Sequence, residues 1–409
     1  MRKNGVNREL IPIDGGVCAP EGFKANGVSC VPEREISQIS DKEDLALIIA
    51  ERPYPTACVY SVGPMFGAPV AVTKKHLKNG YAQAILVNSG IANVFSEDGE
   101  MLAEQACKIL AKKVKVYPED VVIASTGTMS KKFTIAPFLR GMDALVEGVE
   151  ATHEKSLSTA RAIMTTDTYP KQLSFSFFLG DYICKIGAIF KGNVRVCPNL
   201  ATMLCFITTD VQITPEMLHK ALSFASKETF NLLTLDGTSS PNDTVCIMAS
   251  GKAGNHIIDC EDSEYKKFIY FLEEVMRRIC VQIALDGRGA NKLLVCKTTG
   301  ARSKRIARTF SKAIVRALNV KSSISIGKLN VEDLIFTLLN SGEEIYLSKI
   351  IISISSSKGR QILFEENKSL KASLQTMEKI LEAEEVQIVV ELGEGNYSAF
   401  AYGCSLESR

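Results

Sequence analysis

The sequence predicts an α+β protein in which layered sheets pack between helices, with a smaller C-terminal α/β region. Short apolar or β-branched runs bounded by glycine and proline dominate the first quarter of the chain, as is typical of strands. Amphipathic helical patterns alternate with strands further on, and strands dominate again after about residue 320. The chain of 409 residues is long enough for two or three domains of roughly 100–200 residues each, and 46% of its residues are hydrophobic. We expect a boundary near residues 310–320.

Turn residues separate the predicted elements of the N-terminal half. Gly180-Asp181 is predicted to close a hairpin, because it lies between two β-prone runs. In the first predicted helix, Leu102, Ala106 and Leu110 share one face, and lysines lie near the end. The predicted strands are Thr56–Val62, Pro69–Thr73, Gln83–Asn88, Val121–Ser125, Leu173–Leu179 and Tyr182–Phe190, and the predicted helices are Glu100–Val114, Phe138–Val149 and Glu154–Met164.

The C-terminal half repeats this mixture without a sequence repeat. Proline at the first turn of a helix is favourable, so Pro215 is predicted to begin one. The predicted helices are Pro215–Leu232, Glu264–Ile283, Arg305–Leu318 and one near Leu370–Ala383, and the predicted strands are Met203–Thr208, Thr244–Ala249, Leu293–Lys297, Ser322–Ile326, Glu344–Ser355, Gln361–Glu365, Val386–Glu391 and Ser398–Cys404.

The charge balance excludes several classes of partner. The chain has 48 basic and 46 acidic residues, so bulk charge does not draw it to a nucleic acid. Tryptophan is absent and aromatic residues make up 7%, which argues against a base-stacking surface. No apolar run reaches the roughly 18 residues that span a bilayer, and the N-terminus lacks the apolar core of a signal peptide. We therefore expect a cytoplasmic protein with no membrane or nucleic-acid partner.

Cysteine and histidine usage gives no metal or redox signature. The twelve cysteines are scattered and form no C-x-x-C pair, so we expect buried free thiols in a reducing compartment. The phosphate-loop, zinc-protease and serine-hydrolase motifs are all absent, and the four histidines lie far apart. A histidine-based triad stays an alternative that no motif indicates, so, if the chain is an enzyme, we expect its nucleophile to use a different base.

The most informative stretch runs from Lys191 to Leu204. Pro198 and Asn199 break any regular element just before an apolar strand, so Thr202 stands at the mouth of a buried strand on a constrained turn. From the residues alone, a threonine in this place is more often structural than functional.

A resemblance changes that weighing. The run Pro198–Leu204 resembles the self-cleavage signature of the ornithine acetyltransferase family, which includes the bifunctional glutamate N-acetyltransferases of arginine biosynthesis. Further matches follow in the family's order over residues 10–300. They are Gly15–Val17, Ala19–Phe23, Asp44–Ile48, Ala68–Val70, Asn88–Asn93, Ser125–Gly127, Ala162–Thr168, Asp236–Gly237 and Asn242–Thr244.

The resemblance implies a self-processing fold, shared with related aminopeptidases, and cleavage between Ala201 and Thr202. Residues 1–201 would form an α chain, and residues 202–409 a β chain that begins with the nucleophile. The freed α-amine of Thr202 has a pKa of about 8 in unperturbed form, which suits a general base. Thr126 and Gly127 would form the oxyanion hole that acyl transfer requires.

The resemblance also implies the substrates. Acetyl would pass from N-acetylornithine to glutamate through acetyl-Thr202, with acetyl-CoA as a further co-substrate and no bound cofactor or metal. Lys191 corresponds to the family's substrate lysine, and Thr168 to a substrate-contacting threonine, with Thr166 as the alternative. Family members assemble as pairs of cleaved αβ units, so we expect a heterotetramer.

Several departures concern substrate recognition. Arg288 stands where the family has a substrate-contacting glutamate, which inverts the local charge. The family's tryptophan-containing segment is not recognisable between Ser322 and Asp333, and the closing motif at Ala401–Cys404 lacks its expected extension. Thr238 and Pro241 also depart from the family pattern. A paralogue with another acyl donor or acceptor, a non-catalytic relative and, less favoured, a self-cleaving aminopeptidase therefore remain as alternatives.

Overall fold

The computed structural model describes most of the chain. The described residues are 9–30, 42–61, 65–129, 131–193, 203–236, 240–287, 289–370 and 373–406. They divide into two compact units. The first comprises Met1–Gly192, Asn199–Ala225 and Ser239–Glu274, and the second comprises Asn193–Pro198, Ser226–Thr238 and Val275–Arg409. Residues 310–320, where a boundary was predicted, lie within the second unit.

Strands and helices alternate along the chain. As far as Thr209 they are β1 (Ile11–Pro12), β2 (Phe23–Val28), β3 (Leu45–Tyr60), α1 (Ala68–His76), β4 (Tyr81–Asn88), α2 (Gly99–Val114), β5 (Val121–Ser125), α3 (Ala136–Glu147), α4 (His153–Ala162), β6 (Lys171–Leu179), β7 (Tyr182–Lys191) and β8 (Leu204–Thr209). Then follow α5 (Pro215–Glu228), β9 (Leu233–Thr234), β10 (Thr244–Ala249), α6 (Ser263–Leu285), β11 (Leu293–Ala301), α7 (Lys304–Arg316), α8 (Leu318–Ser325), α9 (Val331–Leu339), β12 (Ile351–Ser356), β13 (Gly359–Glu365), β14 (Lys368–Ser369), α10 (Leu374–Leu381), β15 (Glu385–Glu391) and β16 (Tyr397–Cys404).

The long strand β3 joins two sheet layers in the first unit. Its first part pairs antiparallel with β2 and β4, and its last part pairs antiparallel with β10. The register with β4 shifts between Ile49 and Tyr54, and Pro53 and Pro55 flank Tyr54. Proline cannot donate to a ladder, so this is where the strand can pass from one layer to the other. The strand order is β1-β6-β7-β8-β10-β3-β4-β5.

The two layers bury their facing sides against each other. One buried cluster joins Ile85 and Val122 of the β4–β5 layer to Phe206 of the β8–β10 layer. The alternate residues of β4 and β5, such as Leu86 and Ile123, belong to a second cluster with helices α1, α2 and α3. Because side chains alternate across a strand, β4 and β5 are buried on both faces. On the other layer, Phe177 of β6 packs against Phe271 of α6 with ring centroids 4.5 Å apart.

The second unit is a smaller α/β region. Its sheet has the order β14-β13-β12-β15-β11-β16-β9, with β11 parallel to β15 and antiparallel to β16. Helices α7, α8, α9 and α10 contribute to one apolar core, in which Phe310 and Leu334 join Ile352 and Ile388 of the sheet. The predicted α+β class, with layered sheets between helices and a C-terminal α/β region, is confirmed.

Three local predictions were wrong. Pro69–Thr73 is part of helix α1, where Pro69 lies in the first turn and the buried Thr73 hydroxyl donates to the Ile123 carbonyl at 2.7 Å. Ser322–Ile326 overlaps helix α8, whose buried residues follow helical spacing. Residues 344–350 precede strand β12 rather than forming its start. In the first two cases, β-branched or small residues suggested a strand, whereas burial on one helical face decided the conformation.

The cysteines agree with the thiol prediction in the part of the chain that the structure describes. All of the described cysteines are free, and Cys260 alone of them is exposed. No described helix is both long and apolar enough to cross a membrane.

Candidate active site

The turn after strand β5 is held against the loop that follows β4. Asn88 pairs with Ser125 at the ends of these parallel strands, and the Asn88 carbonyl accepts the Thr126 N–H at 3.0 Å. Gly127 has φ of 130°, and a Cβ there would lie 2.3 Å from the Gly90 carbonyl carbon. Only glycine fits this conformation and this close approach. The Gly127 N–H donates to no described residue, so it is available as a hydrogen-bond donor.

Lys191 brings a buried cation to this turn. It ends strand β7, is 1% exposed, and donates from Nζ to the Thr126 hydroxyl oxygen at 3.3 Å and the Thr165 hydroxyl oxygen at 2.6 Å. Burial lowers the pKa of the ammonium, whereas the nearby Asp167 carboxylate opposes that effect. Because the Thr126 oxygen accepts from a cation, its own proton is directed elsewhere, as a polarised donor.

Asp167 holds two lysines at once. Its Oδ1 accepts from Lys171 Nζ at 2.8 Å and from the Gly192 N–H at 2.7 Å, and its Oδ2 lies 3.7 Å from Lys191 Nζ. Burial raises the pKa of the Asp167 carboxyl, but the charges of Lys191 and Lys171 outweigh it and hold that pKa below its usual range. The three buried side chains therefore carry a net positive charge beside Thr126.

In the Ala162–Thr168 motif, the Thr165 hydroxyl accepts a hydrogen bond from Lys191. Thr166 and Thr168, the two predicted substrate threonines, are both exposed. They flank Asp167, so the Ala162–Thr168 motif supplies the carboxylate of the charged cluster as well as two exposed threonines. Whether Thr168 contacts a substrate stays a prediction.

The start of strand β8 is tied to a second buried aspartate. Asp243 accepts the Met203 N–H on Oδ1 at 2.8 Å and the Ser240 N–H on Oδ2 at 3.1 Å. The Thr244 N–H also donates to the Met203 carbonyl at 3.1 Å. Burial raises the pKa of Asp243 to about 7, against the smaller lowering effect of its two backbone donors. Met203 is thereby fixed on both sides of its Cα.

Asn242 links this segment to the Thr126 turn. Its Nδ2 donates to the Ser125 carbonyl at 3.1 Å and to the Ala92 carbonyl at 2.5 Å. The structure thus brings the segments around residues 88–92, 125–128 and 240–244 together, with Lys191 at the same turn. The predicted residues Thr126, Gly127 and Lys191 belong to this one cluster.

Three predicted site residues lie outside the described residues: Ala201, Thr202 and Arg288. Near the last of these, in the second unit, the Ser405 hydroxyl donates to Asn291 Oδ1 at 2.9 Å and accepts the Lys292 N–H at 3.2 Å. The segment after Ala290 is therefore paired with the end of strand β16.

Sequence reasoning missed Lys171 and the individual roles of Asp167 and Asp243. Lys171 opens strand β6, in which large apolar residues predominate, four residues after Asp167. A lysine at that point was a usable signal, since a fully buried lysine needs a partner. The contact of Asp243 with Met203 had no such signal, because it joins residues far apart in sequence.

Comparison with known proteins identifies the family of the chain. Residues 32–409 match the profile of the ArgJ family. The chain belongs to the ArgJ family. The resemblance inferred from the sequence is thereby confirmed over nearly the whole length.

Relatives of this ArgJ-family chain match it almost end to end. The glutamate N-acetyltransferase of Methanocaldococcus jannaschii is 32% identical over 401 residues, which are 96% of this chain and 96% of that protein. The arginine biosynthesis bifunctional protein ArgJ 1 of Clostridium acetobutylicum is 34% identical over 405 residues, covering 98% of this chain and 95% of that protein. A crystal structure of the Bacillus halodurans bifunctional protein argJ is 34% identical, covers 49% of this chain and 93% of that chain, and has a TM-score of 0.46.

The family settles the class of reaction. This ArgJ-family chain is an acyltransferase that acts by acetyl transfer in arginine biosynthesis.

Proposed function

We propose that the chain cleaves its own Ala201–Thr202 bond and then transfers acetyl from N-acetylornithine to glutamate through an acetyl-Thr202 ester. The observation that carries the proposal is the hydrogen bond from the buried Lys191 ammonium to the Thr126 hydroxyl, beside Gly127. The Thr126 hydroxyl, polarised by this hydrogen bond, and the Gly127 N–H lie on one turn. Together they are the donor pair that a tetrahedral oxyanion needs.

Self-cleavage would begin when the Thr202 hydroxyl oxygen attacks the Ala201 carbonyl carbon. The peptide C–N bond breaks as its nitrogen takes the hydroxyl proton, which leaves an ester between the two residues. Water hydrolyses that ester to the Ala201 carboxylate and restores the Thr202 hydroxyl. The tie between Met203 and Asp243 supports this step, because it anchors the peptide unit that follows Thr202.

In acetyl transfer, the freed α-amine of Thr202 would take the proton of its own hydroxyl. The oxygen attacks the acetyl carbonyl of N-acetylornithine, and Thr126 and Gly127 stabilise the oxyanion. Ornithine leaves with that proton on its amine. The glutamate amine then attacks the acetyl ester, which releases N-acetylglutamate and regenerates the Thr202 hydroxyl.

The remaining predictions belong to the same proposal. Lys191 has three ammonium protons, and two are donated to Thr126 and Thr165, so one remains for a substrate carboxylate or Asp167. Acetyl-CoA would serve as an alternative acetyl donor. Residues 1–201 and 202–409 would stay associated, as a heterotetramer of two αβ units.

The experiment is intact-mass spectrometry of the purified chain together with an acetyl-transfer assay. The expected products are two associated fragments, residues 1–201 and 202–409. Thr202→Ala should remain a single chain without transfer activity, and Thr202→Ser should still cleave. A wild-type chain that stays whole after prolonged incubation would contradict the proposed nucleophile.

Arg288 favours a second candidate, a family member with another donor or acceptor, because a cation replaces the expected carboxylate. Assaying N-acetylornithine and acetyl-CoA as donors, each with glutamate, separates the two. Cleavage without transfer to glutamate from either donor would favour the second candidate.

A further inference from the structure

The first unit contains a cavity to which none of the reaction steps described above assigns a role. It has a volume of about 510 Å³ and lies between the Ser89–Ile91 loop and the start of helix α3. Cavities of about 300–1,000 Å³ are the size of small-molecule sites. We call it the Ser89 cavity, after one of its lining residues.

Cations outnumber acids around the Ser89 cavity. Lys42, Lys131 and Arg140 line it, against a single carboxylate, Asp44. Asp44 Oδ1 already accepts the Cys30 N–H at 2.7 Å. Arg140 is oriented by its Nε, which donates to the Cys30 carbonyl at 3.0 Å, and its terminal nitrogens contact no acid among the described residues. The cavity therefore carries uncompensated positive charge.

Polar donors without partners line the same cavity. Ser89 is 8% exposed, and its hydroxyl has no hydrogen-bond partner in the described part of the chain. Helix α3 begins at Ala136 without a side-chain N-cap and without an acid in its first turn. The Ala136 and Phe138 N–H groups at that end have no intrahelical acceptor. A buried hydroxyl, helix N–H groups and cations together suit an oxyanion.

The Ser89 cavity adjoins the candidate active site on two sides. Residues on either side of Ser89 hold the catalytic turn, since Asn88 accepts the Thr126 N–H and Gly90 accepts the Thr128 N–H, each at 3.0 Å. Lys42 Nζ donates to the Thr165 carbonyl at 3.4 Å, and the Thr165 hydroxyl contacts Lys191.

We propose that the Ser89 cavity binds the anionic group, a carboxylate or a phosphate, of a substrate of the acyl-transfer reaction. The proposal rests on the proposed function for the identity of that reaction. A phosphate would come from acetyl-CoA, and a carboxylate from glutamate or N-acetylornithine.

The test compares KM and kcat for each substrate in the wild type, Ser89→Ala and the double variant Lys131→Gln/Arg140→Gln. Lys108→Gln is the matched control, because Lys108 is an exposed lysine of the first unit that does not line the cavity. We expect about a tenfold rise in KM for one substrate in the double variant, a smaller rise in Ser89→Ala, and kcat within about twofold. In the single variant Arg140→Lys, which keeps the positive charge, KM for that substrate should stay close to the wild-type value.

The substrate whose KM rises identifies the source of the anion. A rise confined to acetyl-CoA indicates phosphate, and a rise for glutamate or N-acetylornithine indicates carboxylate. If KM for every substrate stays within about twofold of wild type in folded variants, the proposal is overturned while the proposed function stands.

If the wild type transfers acetyl between none of these substrates, the proposed function fails. Calorimetry then decides whether the Ser89 cavity binds an anion. Inorganic phosphate and glutamate are titrated separately into the wild type, the double variant and Lys108→Gln. If phosphate or glutamate binds the wild type, and binds the double variant but not Lys108→Gln more weakly, the result supports the proposal that the Ser89 cavity binds an anion. If neither anion binds, or if all three proteins bind each anion equally well, that proposal is overturned.

Discussion

Asp167 and Asp243 are both buried aspartates of the first unit, yet their surroundings move their pKa values in opposite directions. Two lysines hold the pKa of Asp167 below its usual range, whereas Asp243, with two backbone N–H groups on its carboxylate, has a pKa raised to about 7. Neutral donors offset desolvation less than full positive charges do. Asp167 is therefore a counter-ion that stays charged, whereas Asp243 is a hydrogen-bond acceptor of the backbone whose charge depends on pH.

The same difference separates their roles. Asp167 is a counter-ion of Lys191, which polarises Thr126, so its loss changes the charge of the active site. Asp243 positions the backbone at Met203, so its loss changes geometry first. Four variants test this contrast.

The largest effect is expected for Asp167→Asn. It removes the carboxylate that the buried Lys171 and Lys191 share, which should lower the free energy of unfolding by about 3–5 kcal/mol. Chemical denaturation measures it, with Asp181→Asn on the exposed hairpin turn as the control. Equal stability of the two variants would show that the lysines do not depend on Asp167.

Lys191→Met should leave the fold largely intact, because Lys171 still pairs with Asp167 at 2.8 Å. The Thr126 hydroxyl loses its polarising donor, so kcat for acetyl transfer should fall by about 10²–10³. Lys185→Met on the same strand is the control. A variant with near wild-type kcat would remove Lys191 from the catalytic machinery.

Asp243→Asn should be destabilised by about 1–3 kcal/mol, because an amide offers one acceptor oxygen where the carboxylate offers two. The folded carboxyl is protonated up to a higher pH than the unfolded one, so wild-type stability falls as pH rises from the ordinary value of 3.8 to about 7. This slope, about 1.4 kcal/mol for each pH unit at most, should be missing from Asp243→Asn. Unfolding titrations between these pH values measure it, and identical slopes would refute the raised pKa.

The smallest effect is expected for Thr165→Val. It removes one acceptor of the Lys191 ammonium, at a cost of about 1 kcal/mol, or about fivefold in kcat. Thr166→Val and Thr168→Val are compared with it. A rise in KM for Thr168→Val alone would support the predicted substrate contact of Thr168. A loss of kcat in Thr166→Val and not in Thr165→Val would contradict the role of Thr165 as the acceptor of the Lys191 ammonium.

Local pattern was sufficient for most of the elements. The strand pair Leu173–Leu179 and Tyr182–Phe190 and the helix at Glu100–Val114 agree with the structure to within a few residues, because their periodicity and turn residues are local. The prediction failed at helices α1 and α8. There, Val70, Thr73 and Ser323 have intrinsic preferences that conflict with the conformation that buries them.

The sequence by itself determined the class of fold, the family and the turn that carries Thr126 and Gly127, since ordered short motifs record them directly. Only the tertiary structure decided that Lys191 meets Thr126, that Lys171 shares Asp167 with it, and that Asp243 anchors Met203. Each of these contacts joins separate elements, and buried charges are tolerated only where the whole fold brings their partners within a few ångströms. No local pattern encodes that distance.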